Sequence, residues 1–318
     1  YVNNIMVLRS NAHPDTTQQY IFEDAGTESN GTPIRYSFSK LNGGSLQPIV
    51  RSFVTSAQKI VAVGNLTQYV CNEYASSYVD SKQRISSVAS SFRMDDCGVL
   101  DSTYRLVDRT GRYSGAGGGN ITDACMDKDD GVVLVGSFTS FDGVPAPGMV
   151  RLDADGNVDH AFLENLGTGP DGNVTMVRYN KALNKMMVVG GFEHVNGQPR
   201  QQMAMLNPDG TLDGTFVPRE IGGGAVNFAQ LIDKEKVIVS GTFSTYGGVP
   251  RLGFLILEMD GTAQQKFNVP GTFNGQLYHV AETETTLGSY GLLLMGSFDR
   301  FNGQKANNVL MLEVNLEH

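Results

Sequence analysis

Tryptophan is absent from this sequence, and long apolar or basic runs are absent too. No stretch approaches the roughly 18 consecutive apolar residues of a membrane-spanning helix, and the N-terminus has no signal-peptide pattern. Lys and Arg form no long cluster, and the formal net charge is −9, which opposes a phosphate backbone. We therefore expect neither membrane insertion nor nucleic acid as a partner.

Cysteine is scarce, with three residues, Cys71, Cys97 and Cys125, so at most one disulfide can form. Cys71 and Cys97 lie 26 residues apart in the least regular part of the chain, where a bridge would brace a weak unit. Free, half-buried thiols are the preferred interpretation over a disulfide. We interpret residues 316–318 as the remnant of an expression tag, outside the folded domain.

Glycine is abundant, with 38 residues against 11 prolines, and 40% of the chain is hydrophobic. This composition supplies a sizeable core together with many tight turns between short strands. It favours an all-β fold.

An apolar run that ends in Gly-x-Phe recurs along the chain. The strong copies are centred on Gly136, Gly190, Gly241 and Gly296, which are 54, 51 and 55 residues apart. A weaker copy at Gly64 precedes them by 72 residues, an interval that leaves room for an insertion. Repeats of this length are typical of stacked or radial repeat architectures.

Two turns follow each strong copy and indicate hairpins. Asp142-Gly143, Asn196-Gly197, Gly247-Gly248 and Asn302-Gly303 supply the positive φ that a type I′ turn needs at both central positions. Second turns lie near Asp155-Gly156, Asp209-Gly210 and Asp260-Gly261, and lead to segments that end in Phe162, Phe216 or Phe267. With an apolar segment before each Gly-x-Phe run, one repeat contains about four antiparallel strands.

Four-stranded units of this kind bury their faces by radial stacking, which predicts a β-propeller; a stacked β-solenoid is the structural alternative. We predict one domain over residues 1–315 with five blades. The repeats lie near residues 44–104, 119–162, 172–216, 224–267 and 275–314. Residues 2–22 form an extra half repeat, similar to residues 307–312, which would close the ring. Six blades is the alternative if residues 65–118 hold another repeat.

The copy at residues 135–159, VGSFTSFDGVPAPGMVRLDADGNVD, resembles the delta-60 repeat, a β-propeller repeat of bacterial surface proteins and phage virion proteins. The copies that begin at Val189, Val239 and Met295 match in full or in part, so the resemblance covers residues 119–314. It implies a propeller, an extracellular or virion location, and an adhesive or scaffolding role. It supplies no catalytic residues.

Metal and nucleophilic sites are weakly indicated. Asp153, Asp155 and Asp159 suggest calcium, but the EF-hand spacing is missing, and hairpin geometry explains why Asp-Gly persists while the other carboxylates vary. No histidine falls at a metal-ligand spacing, and the glycine run at residues 115–119 lacks the Lys-Ser/Thr of a phosphate loop. We therefore predict no metal, no cofactor and no catalytic group.

Function in propellers resides in loops, so the most irregular segments, residues 65–84 and 104–118, are the candidate binding surfaces. The candidate residues are Tyr69, Tyr74, Tyr78, Tyr104, Arg112 and Tyr113. Tyr and Arg are common at binding hot spots, although such tyrosines can equally pack against a neighbouring blade. The predicted partners are a host cell-surface protein or glycan and other virion or surface proteins.

Two alternatives stay open. Five-bladed propellers include glycosidases, which need a pair of carboxylates at the channel mouth, and Asp123, Glu282 and Glu284 are candidates at strand starts. The other alternative is a structural spacer within a virion assembly. The leading hypothesis is a non-enzymatic binding or adhesion module.

Overall fold

The computed structural model describes residues 4–21, 34–73, 82–107, 110–265, 273–285 and 288–314. The chain divides into two compact units. The N-terminal unit comprises Tyr1–Ile121, Ser140–Pro145 and Asp153–Asn157, and the C-terminal unit comprises Thr122–Thr139, Ala146–Leu152 and Val158–His318. Within the described ranges no helix is long and apolar enough to span a membrane.

The regular secondary structure of the described residues is β-strand apart from one helix, which confirms the predicted all-β class. In chain order the first strands are β1 (Thr16–Ile21), β2 (Ile34–Ser39), β3 (Arg51–Val54), β4 (Ile60–Val63), β5 (Gln68–Glu73), β6 (Lys82–Ser87), β7 (Ser91–Met94), β8 (Ala116–Gly117), β9 (Ile121–Met126), β10 (Val132–Gly136), β11 (Ser140–Phe141), β12 (Val144–Pro145) and β13 (Met149–Leu152). They are followed by α1 (His160–Leu166), β14 (Val174–Asn180), β15 (Lys185–Gly190), β16 (His194–Val195), β17 (Gln198–Pro199), β18 (Met203–Leu206), β19 (Ile221–Gly222), β20 (Val226–Ile232), β21 (Lys236–Gly241), β22 (Thr245–Tyr246), β23 (Val249–Pro250), β24 (Phe254–Glu258), β25 (Phe273–Glu284), β26 (Tyr290–Phe301), β27 (Gln304–Lys305) and β28 (Val309–Glu313).

Each apolar run ending in glycine forms the central strand of a small antiparallel sheet. These sheets are β3-β4-β7, β9-β10-β13, β14-β15-β18, β20-β21-β24 and β25-β26-β28. The strands β4, β10 and β21 are buried along their whole length, because each is paired on both edges and apolar on both faces. The repeat inferred from sequence is thus a repeat of structure.

The predicted short hairpins are confirmed, since β11-β12, β16-β17, β22-β23 and the β26-β27 corner each have two successive residues of positive φ at the turn. These pairs are Asp142 and Gly143 (49° and 78°), Asn196 and Gly197 (48° and 71°), Gly247 and Gly248 (57° and 75°), and Asn302 and Gly303 (50° and 76°). Asn, Asp and Gly tolerate this conformation better than other residues, which is why the turns could be recognised.

In all five sheets the residue directly before the return strand also has positive φ. This residue is Ser90, Gly148, Gln202, Gly253 or Asn308, with φ between 62° and 77°. Its N–H donates to the carbonyl of a buried apolar residue, respectively Leu66, Phe138, Phe192, Phe243 or Phe298. Only two of the five are glycine, so the sequence did not reveal this shared feature.

The second turn is also repeated, with one pattern of three backbone hydrogen bonds. In the copy at residues 153–159, Asp153 N–H donates to the Asn157 carbonyl, Gly156 N–H to the Asp153 carbonyl, and Asp159 N–H to the Arg151 carbonyl. The same pattern occurs at residues 9–15, 95–101, 207–213 and 258–264. The described part of the last sheet ends at Val314, before any such turn.

One expectation is wrong beyond this turn. The segment that ends in Phe162 was interpreted as a strand, but it belongs to α1, whose N-cap Asp159 accepts a hydrogen bond from the Phe162 N–H. The strand pairing after the second turn is limited to single bridges such as Leu152–Val158 and Leu206–Leu212.

The described part of the segment 65–84, residues 65–73 and 82–84, is not the irregular loop expected from sequence. Gln68–Glu73 forms β5, which pairs in register with β6 over six residue pairs. This long hairpin stands where the other sheets have two-residue strands, which accounts for the longer spacing between Gly64 and Gly136. The strand β7, the return strand of the first sheet, follows directly.

Each unit has its own apolar core. In the N-terminal unit it comprises Leu41, Ile60, Ala62, Leu66, Tyr69, Val88, Phe92 and Met94, with Ile5 and Val7 packed against it. In the C-terminal unit two clusters follow the central strands β10, β15, β21 and β26. None of the three cysteines forms a disulfide in the described structure.

Candidate functional site

A cavity of about 410 Å³ lies against the β5-β6 hairpin of the N-terminal unit. It is lined by Asn42, Tyr69, Cys71, Arg84, Ser86, Cys97, Gly98, Val99, Leu100, Ser102 and Leu106. Its walls are thus the hairpin and the second turn at residues 95–101. The site lies in the part of the chain where the sequence departs most from the repeat.

Strand register places one wall of the cavity. Tyr69 is paired with Ser86, and Cys71 is paired with Arg84. Because side chains alternate along a strand and directly paired residues share a face, these four project from the same side of the hairpin. The residue between the two on β5, Val70, is also buried, on the opposite face of the strand.

Asn42 joins the hairpin to the opposite wall. Its backbone N–H donates to the Cys97 carbonyl at 2.9 Å. Its side-chain amide donates to the Asn72 carbonyl at 2.7 Å and accepts from the Asn72 N–H at 3.0 Å. Both walls are therefore fixed by the same residue, and the cavity is built into the fold.

Tyr69, a predicted binding residue, forms part of the wall. It is 2% exposed, its ring meets Phe92 edge-on at 5.0 Å between centroids, and its hydroxyl donates to the Gly98 carbonyl. Burial raises the pKa of this hydroxyl, so it stays protonated as a donor. Tyr69 shapes the cavity by holding the hairpin on the turn.

The charge of the cavity comes from Arg84. This side chain is exposed and forms no ion pair with any residue in the described ranges, and none of the eleven lining residues is Asp or Glu. Val99, Leu100 and Leu106 add apolar surface. A ligand with an acidic group and a compact apolar part would match this lining.

Two acidic residues beside the cavity are already engaged. The ligand atoms of Asp95, Asp96 and Cys97 lie within 4.8 Å of one another. However, Asp95 accepts the N–H groups of Cys97 and Val99, and Asp96 forms an ion pair with Lys40 at 2.5 Å. Burial and the nearby Asp96 carboxylate raise the pKa of the Cys97 thiol. These bonds therefore stabilise the turn at residues 95–101.

Three of the other predicted binding residues, Tyr104, Arg112 and Tyr113, lie apart from the cavity lining. Tyr104 is 1% exposed and lies under the guanidinium of Arg93, at 4.7 Å from the ring centroid. Arg112 is exposed and donates to the Asn157 side chain at 2.6 Å, and half-buried Tyr113 donates to the same oxygen at 3.1 Å. Tyr74 and Tyr78 lie outside the described residues.

Sequence reasoning missed Cys71, Arg84 and the turn residues of the cavity. The usable signal was the longer interval between Gly64 and Gly136, which predicted an insertion. The pairing of residues 68–73 with residues 82–87 was not recognised, because polar and charged residues interrupt both segments.

Two of the three carboxylates of the glycosidase hypothesis, Asp123 and Glu282, have structural partners. Asp123 is 3% exposed and accepts from Arg178 at 2.5 Å and from the Val177 N–H at 3.1 Å. Glu282 accepts from the Asp233 N–H and from the Tyr290 hydroxyl at 2.6 Å.

Two of the three carboxylates of the calcium hypothesis, Asp153 and Asp159, also have partners. Asp153 accepts two N–H groups of its own turn, from Asp155 and Asn157. Asp159 caps α1 and pairs with Arg151 at 2.7 Å. In each set, therefore, two of the three carboxylates are engaged in holding strands and turns.

A family model described as a domain of unknown function (DUF5122) beta-propeller matches residues 128–162, 184–216 and 236–263. Each matched segment contains a central strand, its short hairpin, the return strand and the second turn. These segments are β-propeller repeats. Together they cover less than half of the chain, and the hairpin β5-β6 lies outside them. No curated protein matches the chain.

Proposed function

We propose that the chain is a five-bladed propeller of the delta-60 type, with the N-terminal half repeat closing the ring. Support comes from the count of repeated features: five sheets with the same return-strand geometry, and five copies of the second turn. The last sheet has no second turn in its described part, whereas residues 9–15 supply one without a complete sheet of their own. The N-terminal half repeat thus complements the C-terminal one.

We further propose that this propeller is a non-enzymatic binding module of a virion or bacterial surface protein. The observation that carries the proposal is the cavity beside the β5-β6 hairpin, in the one sheet whose hairpin departs from the repeat. A scaffold that repeats elsewhere and forms a fixed cavity at its irregular hairpin is suited to recognition.

The ligand chemistry follows from Arg84. Its guanidinium is exposed at the cavity, where it can donate two hydrogen bonds to a carboxylate without breaking an existing ion pair with a described residue. We infer a carboxylate group on a host cell surface, carried by an acidic sugar or by an acidic protein side chain. The apolar residues Val99 and Leu106 would then contact the part of the ligand that bears it.

The test is binding of the fluorescently labelled protein to host cells, measured by flow cytometry. Arg84→Gln should weaken binding about tenfold or more, since a hydrogen bond to a charged group contributes about 1.5–3 kcal/mol. The matched control is Arg35→Gln, which removes an exposed arginine of β2 in the same unit. Loss of binding after sialidase treatment of the cells indicates the carboxylate of a sialic acid, whereas loss after protease treatment with no effect of sialidase indicates an acidic side chain of a protein. Equal binding by wild type and Arg84→Gln contradicts the proposal.

A further inference from the structure

A second cavity, of about 360 Å³, lies in the C-terminal unit between the sheets of β15 and β21. It is lined by Thr175, Gly190, Gly191, Phe192, Glu193, Gln201, Gln202, Ala225, Val226 and Asn227. Its volume falls within the usual range of small-molecule sites, about 300–1,000 Å³. It is separate from the Arg84 cavity and shares no residue with it.

Gly191 keeps this cavity open. A Cβ atom built on Gly191 would meet no atom within 4 Å, and its φ is not in the positive range. The neighbouring Gly190 differs, because a Cβ there would lie 2.1 Å from the Asn173 carbonyl oxygen. Gly190 is thus required by the fold, whereas Gly191 is not.

The other repeats confirm that a side chain fits at this position. The residues that follow the glycine of the central strand elsewhere are Asn65, Ser137, Thr242 and Ser297. Only the repeat of β15 has glycine there, and it is this repeat that borders the cavity. The missing side chain therefore accounts for open space that backbone geometry does not demand.

Most polar groups of the lining hold the structure. The Thr175 hydroxyl donates to the Val189 carbonyl, the Gln201 amide pairs with the backbone of Ile221, and the Gln202 amide accepts from the Val226 N–H. These bonds fix the rim of the cavity. They leave two side chains for a ligand.

Glu193 and Asn227 are the two uncommitted groups. Neither side chain forms a hydrogen bond with another residue in the described ranges. The backbone of Glu193 is fixed on both sides, because its N–H donates to Asp171 at 2.8 Å and its carbonyl accepts the Arg200 N–H at 2.7 Å. The Glu193 carboxylate, which accepts hydrogen bonds, and the Asn227 amide, which both donates and accepts, therefore line one cavity.

We propose that this cavity binds a neutral saccharide unit. Adjacent hydroxyl groups both donate and accept, which suits a carboxylate and an amide that line the same cavity. The lining contains no Lys or Arg, and the Glu193 carboxylate repels anions, so phosphates and acidic sugars are disfavoured. The Glu193 cavity thus disfavours anionic ligands, whereas the Arg84 cavity favours them.

The test is saturation-transfer NMR of the whole protein with methyl glycosides of glucose, galactose, mannose and N-acetylglucosamine, with glucuronic acid as the anionic probe. At least one neutral glycoside should bind wild type, and glucuronic acid should bind at least tenfold more weakly. Gly191→Thr, which introduces the residue found at position 242, should abolish the neutral signal while the melting temperature stays unchanged.

The matched control is Gly214→Thr, because Gly214 likewise has open space around a Cβ and no positive φ, and lies outside the cavity. Gly214→Thr and Arg84→Gln should both bind the neutral glycoside like wild type. The proposal is overturned if no neutral glycoside binds wild type, if Gly191→Thr binds as well as Gly214→Thr, or if glucuronic acid binds equally. None of these outcomes bears on the carboxylate site at Arg84.

Discussion

Among single residues, Arg105 has the most demanding environment in the N-terminal unit. Its side chain is 0% exposed and forms a two-pronged ion pair with Asp142 at 2.8 and 2.9 Å. It also donates to the carbonyl oxygens of Ala89 and Gly156, both at 2.9 Å. A buried guanidinium is tolerable only when its donors are satisfied in this way.

Arg105→Met should destabilise the protein by about 3–5 kcal/mol, because it leaves the Asp142 carboxylate buried without its counter-ion. The measurement is urea unfolding followed by circular dichroism. Arg9→Met is the control: it removes an arginine that is 53% exposed in its pair with Asp15, and should cost less than about 1 kcal/mol. Equal losses in the two variants would show that burial of the Arg105 pair contributes nothing.

The burial of two tyrosines could not be predicted from the sequence. Tyr69 and Tyr104 lie in segments that lack the repeat pattern, so they were interpreted as exposed binding residues. Both are buried. Tyr69 contacts a turn some thirty residues later in the chain, and Tyr104 lies under Arg93 of β7. Such long-range partners leave no mark in the local sequence.

At the scale of elements, short turns were the most predictable feature. Asn-Gly and Asp-Gly pairs report their own backbone conformation, so the four type I′ turns were identified from sequence. The return-strand residue was not, because Ser90 and Gln202 adopt positive φ under the hydrogen bonds of the sheet. Local chemistry predicts a turn only where the residue itself prefers the conformation.

Tyr246 connects three elements of the C-terminal unit. From β22 its hydroxyl accepts the Arg219 N–H at 2.9 Å and donates to the Gly261 carbonyl at 2.5 Å, so it ties a connecting segment to a second turn. It is 3% exposed, and burial raises the pKa of Tyr246 to about 12.

This raised pKa predicts a loss of stability at high pH. The unfolded tyrosine ionises near pH 10, so its contribution is complete below about pH 10 and disappears as the pH rises through about 12. Tyr246→Phe should therefore cost about 1–3 kcal/mol at neutral pH, by leaving the Arg219 N–H unpaired, and should show a smaller decline between pH 10 and 12. Unfolding free energies measured from pH 8 to 12 test this.

The control for Tyr246 is Tyr278→Phe, which alters a tyrosine that is 52% exposed in the same unit. It should leave the alkaline decline as steep as in wild type. If Tyr246→Phe and Tyr278→Phe give the same pH dependence, the buried hydroxyl is not the cause of the decline.

At the scale of the whole molecule, the period of the repeat was readable because the same strand and turn recur at nearly constant spacing. The strands inside the first repeat were not, since the β5-β6 hairpin lengthens this repeat and hides the return strand β7. The two cavities could not be predicted from the sequence either. One depends on strand register, and the other on a glycine whose role is visible only when its surroundings are known.

The proposed closure of the ring by the N-terminal half repeat predicts how deletion of residues 1–15 changes hydrogen exchange. Ile5 and Val7 pack against the core of the N-terminal unit, so the deletion should lower protection from hydrogen exchange within residues 34–107 in any arrangement. Closure predicts a further effect. The strand β28, where Val309 and Met311 are 54% and 44% exposed, should also lose protection, together with its partner β26.

Hydrogen–deuterium exchange with mass spectrometry separates these outcomes peptide by peptide. The control region is the sheet of β15, in the middle of the repeat array, whose protection should stay as in wild type. If the deletion prevents folding, the double variant Ile5→Ser, Val7→Ser weakens the same contacts and allows the same measurement. Loss of protection confined to residues 34–107, with β26 and β28 unchanged, would mean that the half repeat serves only its own unit and that the ring is closed in another way.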